Sequence, residues 1–206
     1  MKLIDISHEL DNDTPIFPGG IGTTLAARRT LAEHGYNAKL LKSFLHAGTH
    51  VDMPGHFFDD ARTVKDFPLE GFCGRGVLLD VRGDPVIDMK PAYRELVTER
   101  SIVLLYTGWD AAYHTEAYFM RHPEVTDEFA AFLLSRRVKA LGMDMPAPDY
   151  PPHPVHRALL GSGVFVLENL TNLQSLAGLN SFEVMALPLK IDAEASFVRA
   201  VGVVGE

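Results

Sequence analysis

Residues 46–56 read His46-Ala-Gly-Thr-His50-Val-Asp52-Met-Pro-Gly-His56, and this stretch decides most of what we expect of the chain. It places three imidazoles and one carboxylate within eleven residues, although the whole chain has only nine histidines. Neutral imidazole and carboxylate are the ligands that borderline divalent metals such as Zn²⁺ prefer. The stretch therefore predicts a metal or catalytic site rather than a histidine cluster without chemistry.

The residues between the histidines limit the conformation of the backbone. In one extended strand His46 and His50 would stand about 13 Å apart, which is too far for them to share an ion. A helix would bring them together, but Gly48, Pro54 and the β-branched residues between them disfavour a stable helix. We therefore predict a strand that ends near His46 and leads into a tight ligand loop. Gly48 would supply the unusual backbone angles there, and Met53, before the proline, would be extended.

Length and composition bound the class of protein. The 206 residues suit a single domain over residues 1–206, and 47% hydrophobic with 22% charged residues is ordinary for a soluble globular protein. A net charge of −8 and the lack of a basic run argue against a nucleic-acid partner. No apolar run approaches the ~20 residues that span a bilayer, and the N-terminus does not resemble a signal peptide. The single cysteine, Cys73, excludes an intrachain disulfide and is expected to be a buried small hydrophobe. We expect a cytoplasmic protein without a membrane partner.

Short apolar runs alternate with a few helical patterns along the chain. Strands are predicted over residues 3–7, 39–46, 76–81, 101–106, 140–143, 164–167, 182–188 and 197–204. Helical spacing covers residues 91–99 and 126–137, with Thr126 as the N-cap of the second helix. Residues 24–34 fit either a helix or a strand. Many strands with few helices predict an α/β or α+β domain around a mixed sheet.

A short loop rarely completes a metal shell, so more distant ligands are needed, and His156 and Glu168 are the candidates. Glu168 follows the apolar run Val164-Phe-Val-Leu167, which places its carboxylate at the end of a buried strand. A charged group there needs a partner or a metal, unless it reaches solvent, and the residues alone leave both possibilities open.

The pattern His-x-Gly-Thr-His-x-Asp-x-Pro-x-His-Phe resembles the signature of the cyclase family of metal-dependent hydrolases, which includes bacterial kynurenine formamidases and isatin hydrolases. The resemblance extends nearly from end to end, through shorter segments at residues 3–8, 15–19, 107–109, 141–144, 156–160, 168–172, 186–190 and 198–200. It implies the swivelling β/β/α fold of that family, an α/β single domain whose mixed sheet has few helices. It would also make part of residues 24–34 a strand.

The resemblance also implies a definite metal site. His46 and His50 would bind one metal ion and His156 a second, with Asp52 and Glu168 bridging the two. Bridging carboxylates offset the repulsion between two cations, and open positions remain for water and substrate. The expected ion is Zn²⁺, in one or two positions, and Mn²⁺ is possible.

Two further roles follow from the same resemblance. His56 would stay unligated and act as the catalytic proton donor and acceptor. Phe17 corresponds to an aromatic residue that lines the substrate pocket of kynurenine formamidases. With Phe57, Phe58 and Trp109 it could sandwich a planar ring, and core packing is the alternative for each of these aromatics.

The chain departs from the family pattern near the presumed substrate contacts. Gly20 stands where an acidic residue often follows the Pro-Gly pair, and Ala147 stands where relatives often carry serine. These departures weaken the substrate assignment but not the metal assignment. His153 matches no family ligand and is expected to be a loop residue, and Asp144 is expected to be a structural or supporting carboxylate.

The sequence thus predicts a metal-dependent amidohydrolase that cleaves a C–N amide bond of a small aryl formamide or cyclic amide. N-formylkynurenine, which would give kynurenine and formate, is the leading candidate. The alternatives are an isatin, lactam or lactone hydrolase of the same family, or a non-catalytic metal-binding relative. His56 favours the enzyme, because a protein that only binds metal needs no free imidazole. From the family's habit of pairing we also expect a homodimer or a higher homo-oligomer.

Overall fold

The computed structural model describes residues 1–59 and 61–205, so Glu206, the last residue of the predicted domain, lies outside the described residues. The strands are β1 (Lys2–Asp5), β2 (Thr24–Arg29), β3 (Ala38–Lys42), β4 (His50–Asp52), β5 (Cys73–Asp80), β6 (Val86–Ile87), β7 (Ile102–Tyr106), β8 (Glu124–Val125), β9 (Ala140–Met143), β10 (Phe165–Glu168), β11 (Glu183–Pro188) and β12 (Ala195–Val204). The α-helices are α1 (Leu31–His34), α2 (Tyr93–Leu96), α3 (Ala117–Met120), α4 (Asp127–Ser135) and α5 (Pro154–Gly161). No helix in the described part of the chain is long and apolar enough to span a bilayer.

Eight strands form one mixed sheet that closes on itself. The order is β1-β12-β11-β5-β7-β9-β10-β4, and β4 also pairs with the first residues of β12. The closing pairs are antiparallel, whereas β5, β7, β9 and β10 run parallel to one another. A barrel-like ring results, with β1 alongside the later residues of β12. This confirms the predicted α/β fold with a mixed sheet and few helices.

Strand β7 shows how the ring is buried on both faces. Val103 and Leu105 belong to an apolar core that includes Leu133 of α4 and Leu159 of α5. The alternate residues of the strand, among them Leu104, point to a second core on the other face of the sheet. Side chains alternate across a strand, so a continuous apolar run suits a strand that is covered on both sides.

The predicted helix over residues 126–137 is confirmed as α4. Thr126 is its N-cap, and its hydroxyl accepts a hydrogen bond from the Phe129 amide at 3.2 Å. The predicted helix over residues 91–99 is wrong except for the single turn α2. Val97 ends that turn with extended backbone angles (φ −83°, ψ 106°), because its side chain is 1% exposed and packs into the core.

Residues 24–34, which fitted either structure, form strand β2 and then the single turn α1. β2 pairs with β3 in a two-stranded ribbon that is separate from the closed sheet. The ribbon and its connection leave large apolar side chains exposed, namely Leu31, Tyr36, Leu40, Leu41 and Phe44. It is therefore an arm that the described part of this chain does not cover.

The predicted strand over residues 39–46 and the loop after it need correction. The strand ends at Lys42, and residues 50–52, predicted as loop, form β4 inside the closed sheet. The reason is Val51, which is 0% exposed, together with pairing of this segment on both of its edges. The backbone predictions on either side are confirmed. Gly48 has φ +60°, and Met53 is extended with φ −114° and ψ 164°.

Cys73 begins β5 and is half-buried rather than buried, and desolvation raises the pKa of its thiol. A thiol with a raised pKa is a poor nucleophile, in keeping with the expected packing role.

Gly76 is a position where the sheet tolerates no side chain. A Cβ atom there would lie 2.0 Å from Cε2 of Phe182, whose ring covers the strand. We predict that Gly76→Ala lowers the free energy of unfolding by about 1–3 kcal/mol through overpacking. Gly22→Ala is the matched control, because no atom lies within 4 Å of a Cβ there. Urea denaturation checks both variants, and equal midpoints would contradict this packing.

Candidate active site

Two paired strands bring most of the predicted ligands together. In the antiparallel pair of β4 and β10, Glu168 lies opposite His50 and Val166 lies opposite Asp52. His50 and Asp52 are two residues apart on β4, so they share a face of the sheet with Glu168. Val51, between them, points to the opposite core. The sheet register thus gathers one imidazole and two carboxylates on one buried face.

The first half of the cluster contains His46 and His50. His46 Nδ1 lies 2.8 Å from Asp52 Oδ1, and His50 Nε2 lies 3.3 Å from the same oxygen. His50 Nε2 also lies 3.3 Å from Glu168 Oε2. The other nitrogen of His46, Nε2, lies 3.5 Å from Oε1 of Glu194, a carboxylate that the sequence analysis missed.

The second half contains His156, which helix α5 holds next to β10. Its Nε2 lies 2.9 Å from Glu168 Oε1 and 3.8 Å from Asp52 Oδ2. Each carboxylate therefore presents one oxygen to His50 and its other oxygen to His156. Asp52 and Glu168 thus stand between the imidazoles, so the chain can offer two adjacent ligand sets.

Hydrogen bonds fix the orientation of His50 and leave one of its nitrogens bare. Its Nδ1 lies 2.8 Å from the carbonyl oxygen of Gly48, which can only accept, so the proton is on Nδ1. His50 Nε2 and Asp52 Oδ1 are both buried without a hydrogen-bond partner among the described residues. Buried polar atoms are normally paired. This bare pair, in a set of imidazoles and carboxylates, fits a divalent cation.

His156 is oriented by Asp149, which the sequence analysis also missed. His156 Nδ1 lies 2.8 Å from Asp149 Oδ1, and Asp149 Oδ2 accepts from the amides of Val155 and His156. One carboxylate therefore caps α5 and turns His156 Nε2 toward Glu168. An acidic residue shortly before Pro154, a favoured first residue of a helix, was the available signal.

Asn169 holds the turn at Gly48 against β10. Its side-chain amide donates to the Gly48 carbonyl at 3.0 Å, and its Oδ1 accepts from the Tyr118 hydroxyl at 2.8 Å. Thr49 Oγ1 donates to the Asn169 carbonyl. The contacts with Gly48 and Thr49 cross more than a hundred residues of chain and the contact with Tyr118 crosses 51, and no local pattern indicates them.

Burial and charge together set the ionisation of the cluster. Burial opposes a charge on His50, but Asp52 and Glu168 raise its pKa to about 10. Burial also opposes a charge on His156, but hydrogen bonds with Asp149 and Asp52 raise its pKa. Burial would raise the pKa values of Asp52 and Glu168, yet the adjacent imidazoles hold them below their usual values. Without a metal, His50 and His156 thus favour the protonated form beside the carboxylates, and a cation would replace those protons.

His56 stands next to this cluster, on the short 3₁₀ turn Pro54–His56. Its ring centroid lies 4.2 Å from that of His46 and 6.3 Å from that of His156. Burial is the main influence on His56 and lowers its pKa. Ligand atoms of His46, Asp52 and His56 lie within 4.8 Å of one another, so His56 is close enough either to join a ligand set or to reach a reacting group beside it.

A cavity of about 260 Å³ opens beside the cluster. Phe17, Phe57 and Phe119 line it, and Phe17 meets Phe119 edge to face at 6.0 Å between ring centroids. Phe58 and Trp109 do not line the cavity and pack against the core that contains α4 and α5, which is the alternative left open for both. Phe119 takes their place in the wall.

The rest of the wall is small and mostly apolar. Pro146 and Ala147 line it, so the departure from serine at Ala147 removes a hydroxyl from the cavity. His153, expected to be a loop residue, precedes α5 and also lines the cavity.

Asp144 has the structural role expected of it. It is 0% exposed and accepts hydrogen bonds from the amides of Thr107 and Gly108 and from the Thr107 hydroxyl. Burial raises its pKa to about 6. It ties the residues after β7 to the end of β9.

Comparison with known proteins places the chain in a family. The Cyclase family model, described as "Putative cyclase", matches residues 4–150. The kynurenine formamidase of Bacillus mycoides (strain KBAB4) is 30% identical over 203 residues, which is 96% of this chain and 95% of that protein. The kynurenine formamidase of Salinibacter ruber (strain DSM 13855 / M31) is 32% identical, over 98% of this chain and 97% of that protein.

Among solved structures, isatin hydrolase A from Labrenzia aggregata bound to benzyl benzoate is similar in fold. Its TM-score is 0.88 at 24% sequence identity, and the match covers 100% of this chain and 94% of that one. Because the family model spans more than half of the sequence and the relatives match nearly all of it, the chain belongs to the cyclase family.

Proposed function

We propose that this protein is a metal-dependent amidohydrolase that cleaves the C–N bond of a small aryl formamide. N-formylkynurenine, giving kynurenine and formate, is the leading substrate. The observation that carries the proposal is the buried pair Asp52 and Glu168, divided between His50 and His156, next to a cavity with aromatic walls. The similarity to kynurenine formamidases at 30% and 32% identity supports the choice of substrate.

We propose that His46 and His50 hold one metal ion and His156 a second, with Asp52 and Glu168 bridging them. Two atoms that are each about 2.1 Å from a tetrahedral ion lie about 3.4 Å from one another. The pairs of facing nitrogen and oxygen atoms lie 2.8 to 3.8 Å apart, which suits shared coordination. Zn²⁺ is the proposed ion, in one or two positions, and Mn²⁺ is the alternative, because imidazole suits zinc and carboxylate suits both.

A cation bound there supplies Lewis acidity and brings the pKa of a water molecule toward neutrality. The residues of the chain supply position and proton transfer. Asp52 and Glu168 fix the ligand set, while the aromatic wall that includes Phe17 holds the aryl ring. The oxygen of water adds to the formyl carbon, the C–N bond breaks, and His56 passes the proton of that water to the leaving nitrogen. The products are formate and the free arylamine.

A second candidate is a neutral cyclic amide such as isatin, or a related lactam or lactone. None of the described residues that line the cavity is a lysine or an arginine. The carboxylate of an amino-acid tail therefore meets no lysine or arginine among the described residues of the cavity wall. A neutral planar ring would not need one, so this observation favours the cyclic amide.

The protein is proposed to act in the cytoplasm, on a small molecule and without nucleic-acid or membrane partners. Its net charge of −8 and its single cysteine support this setting. The whole chain, residues 1–206, is proposed to act as one domain.

The first test measures metal content and hydrolysis together. Wild-type protein loaded with Zn²⁺ or Mn²⁺ should hydrolyse at least one member of a panel of N-formylkynurenine, formanilides, isatin, lactams and lactones. We predict that His50→Ala and Glu168→Ala lose bound metal and this activity, because each removes an atom from the ligand set. His34→Ala, on the exposed arm, is the control for removal of a histidine. Full metal content in both site variants would refute the ligand assignment, and an inactive metal-loaded wild type would refute the enzyme.

The second test separates His56 from the ligands. We predict that His56→Ala keeps its metal and its fold while turnover falls by roughly 10²–10⁴-fold, the usual contribution of a proton shuttle. Elemental analysis, circular dichroism and kcat on the best panel substrate measure these three properties. Loss of metal along with activity would make His56 a ligand. Undiminished turnover would mean that another group carries the proton.

The third test concerns assembly. We propose a homodimer or higher homo-oligomer in which the neighbouring subunit shapes part of the pocket. The exposed apolar side chains of the arm support this, and so does Phe17, which lines the cavity yet is 61% exposed. We predict a molar mass of at least two chains in multi-angle light scattering at micromolar concentration. A monomer under those conditions would exclude the proposal.

A further inference from the structure

The cavity leaves one uncommitted polar atom for the nitrogen of a substrate. Outside the proposed metal cluster and His56, the polar side chains that line it among the described residues are Asn169 and His153. Both ends of the Asn169 amide are used, by the Gly48 carbonyl and by the Tyr118 hydroxyl. His153 is therefore the side chain with hydrogen-bonding capacity left for a ligand.

His153 is held by its backbone and by one hydrogen bond. It has a left-handed conformation, φ +62° and ψ 52°, immediately before α5, which is an uncommon state for a residue other than glycine. Its Nδ1 lies 3.2 Å from Asp149 Oδ1. A carboxylate can only accept, so Nδ1 carries a proton, and in the tautomer with a single ring proton Nε2 is a hydrogen-bond acceptor. No described residue forms a hydrogen bond with that Nε2.

The ring lies beside the two parts of the site that an aryl amide must join, and these parts are themselves in contact, with 5.3 Å between the ring centroids of Phe57 and His156. Its centroid is 5.6 Å from the ring of His156 and 5.5 Å from the ring of Phe57 in the cavity wall. In an aryl amide, the nitrogen joins the carbonyl carbon to the ring. With the carbonyl at the proposed metal cluster and the aryl ring against the aromatic wall, the nitrogen lies near the place where His153, His156 and Phe57 meet, so an N–H directed to this side of the cavity meets His153.

We infer that His153 is a specificity-determining residue whose Nε2 accepts a hydrogen bond from the amide N–H of the substrate. The inference rests on the proposed function and adds a preference for secondary amides over N-alkylated amides and esters. A site built around a hydrogen bond rejects an analogue that cannot form it, because a polar atom is then left unpaired.

The same residues could instead bind a cation, because ligand atoms of Asp149, His153 and His156 lie within 4.8 Å of one another. The existing hydrogen bonds argue against this. Asp149 already accepts from His153, from the His156 ring and from two amides at the start of α5. A cation there would have to displace protons from both rings and would compete with the cap of the helix.

The test compares binding of acetanilide with binding of N-methylacetanilide, which lacks the N–H. Calorimetry at pH 8 with zinc-loaded protein gives the ratio of the two Kd values for wild type, His153→Leu and His153→Gln. We predict that the preference for acetanilide falls by about 2- to 10-fold in His153→Leu, the usual value of one hydrogen bond. His153→Gln should keep most of the preference, because its amide oxygen can accept the same N–H. The two anilides also differ in shape, but this difference affects the Kd ratio of every variant alike and therefore cancels when the ratios are compared.

Each outcome of this experiment either supports or overturns the proposed role of His153. A ratio that is the same in wild type and His153→Leu, or a wild type that binds neither anilide, would overturn the role of His153. Loss of zinc from His153→Leu would make it a ligand and would overturn it too. If wild type shows the His153-dependent preference but hydrolyses no amide of the panel, the proposed function fails while the assignment of His153 stands.

Discussion

The antiparallel pairing of β4 with β10 is the interaction on which the rest of the structure depends. It closes the sheet and, in the same register, sets His50 opposite Glu168. A shift of one residue would turn Val51 toward the cluster and the imidazole toward the apolar core. Because Val51 must face the apolar core, the ligand residues must face the other side of the sheet. A change in the pairing that closes the sheet would therefore also change the site.

That register brings together groups that are costly to bury. His50 and Asp52 are each 1% exposed, and Glu168 and His156 are nearly as buried. Buried charges persist only when partners offset the lost hydration. For His50 and His156 those partners are the carboxylates of Asp52, Glu168 and Asp149, which raise the pKa values of the two imidazoles. The imidazoles in turn lower the pKa values of Asp52 and Glu168. A divalent cation would reduce the electrostatic cost of burying these charged groups close together.

Much of this was predictable from residues 46–56 and from the apolar runs. The strands of the parallel part of the sheet, the helix capped by Thr126 and the fold class all follow from local patterns that burial reinforces. The sequence also predicted that Glu168 ends a buried strand. What it could not predict depends on long-range pairing. Residues 50–52 look like a loop because three residues carry too little pattern, and only contacts with β10 and β12 make them a strand.

The missed site residues have the same explanation. Glu194 and Asn169 act on residues that are distant in sequence, so no spacing marks them. Asp149 acts on the start of α5, and its position shortly before Pro154 was the only local signal. Phe119 replaced Phe58 and Trp109 in the cavity wall because large aromatics serve equally well in a core, and which of them faces the cavity is decided by the packing of the helices. The roles of such residues can be assigned only from the three-dimensional structure.

The short length of β4 has a consequence for the order in which the molecule forms. Its three residues bond to residues 166–168 on one edge and 195–197 on the other, so its contacts span more than a hundred residues of chain. Contacts of such high sequence separation form after local ones, because a long loop must first be closed. The ligand set does not exist until the ring is complete. Unlike the metal of a zinc finger, which nucleates its own fold, a cation here would enter a scaffold that has already folded.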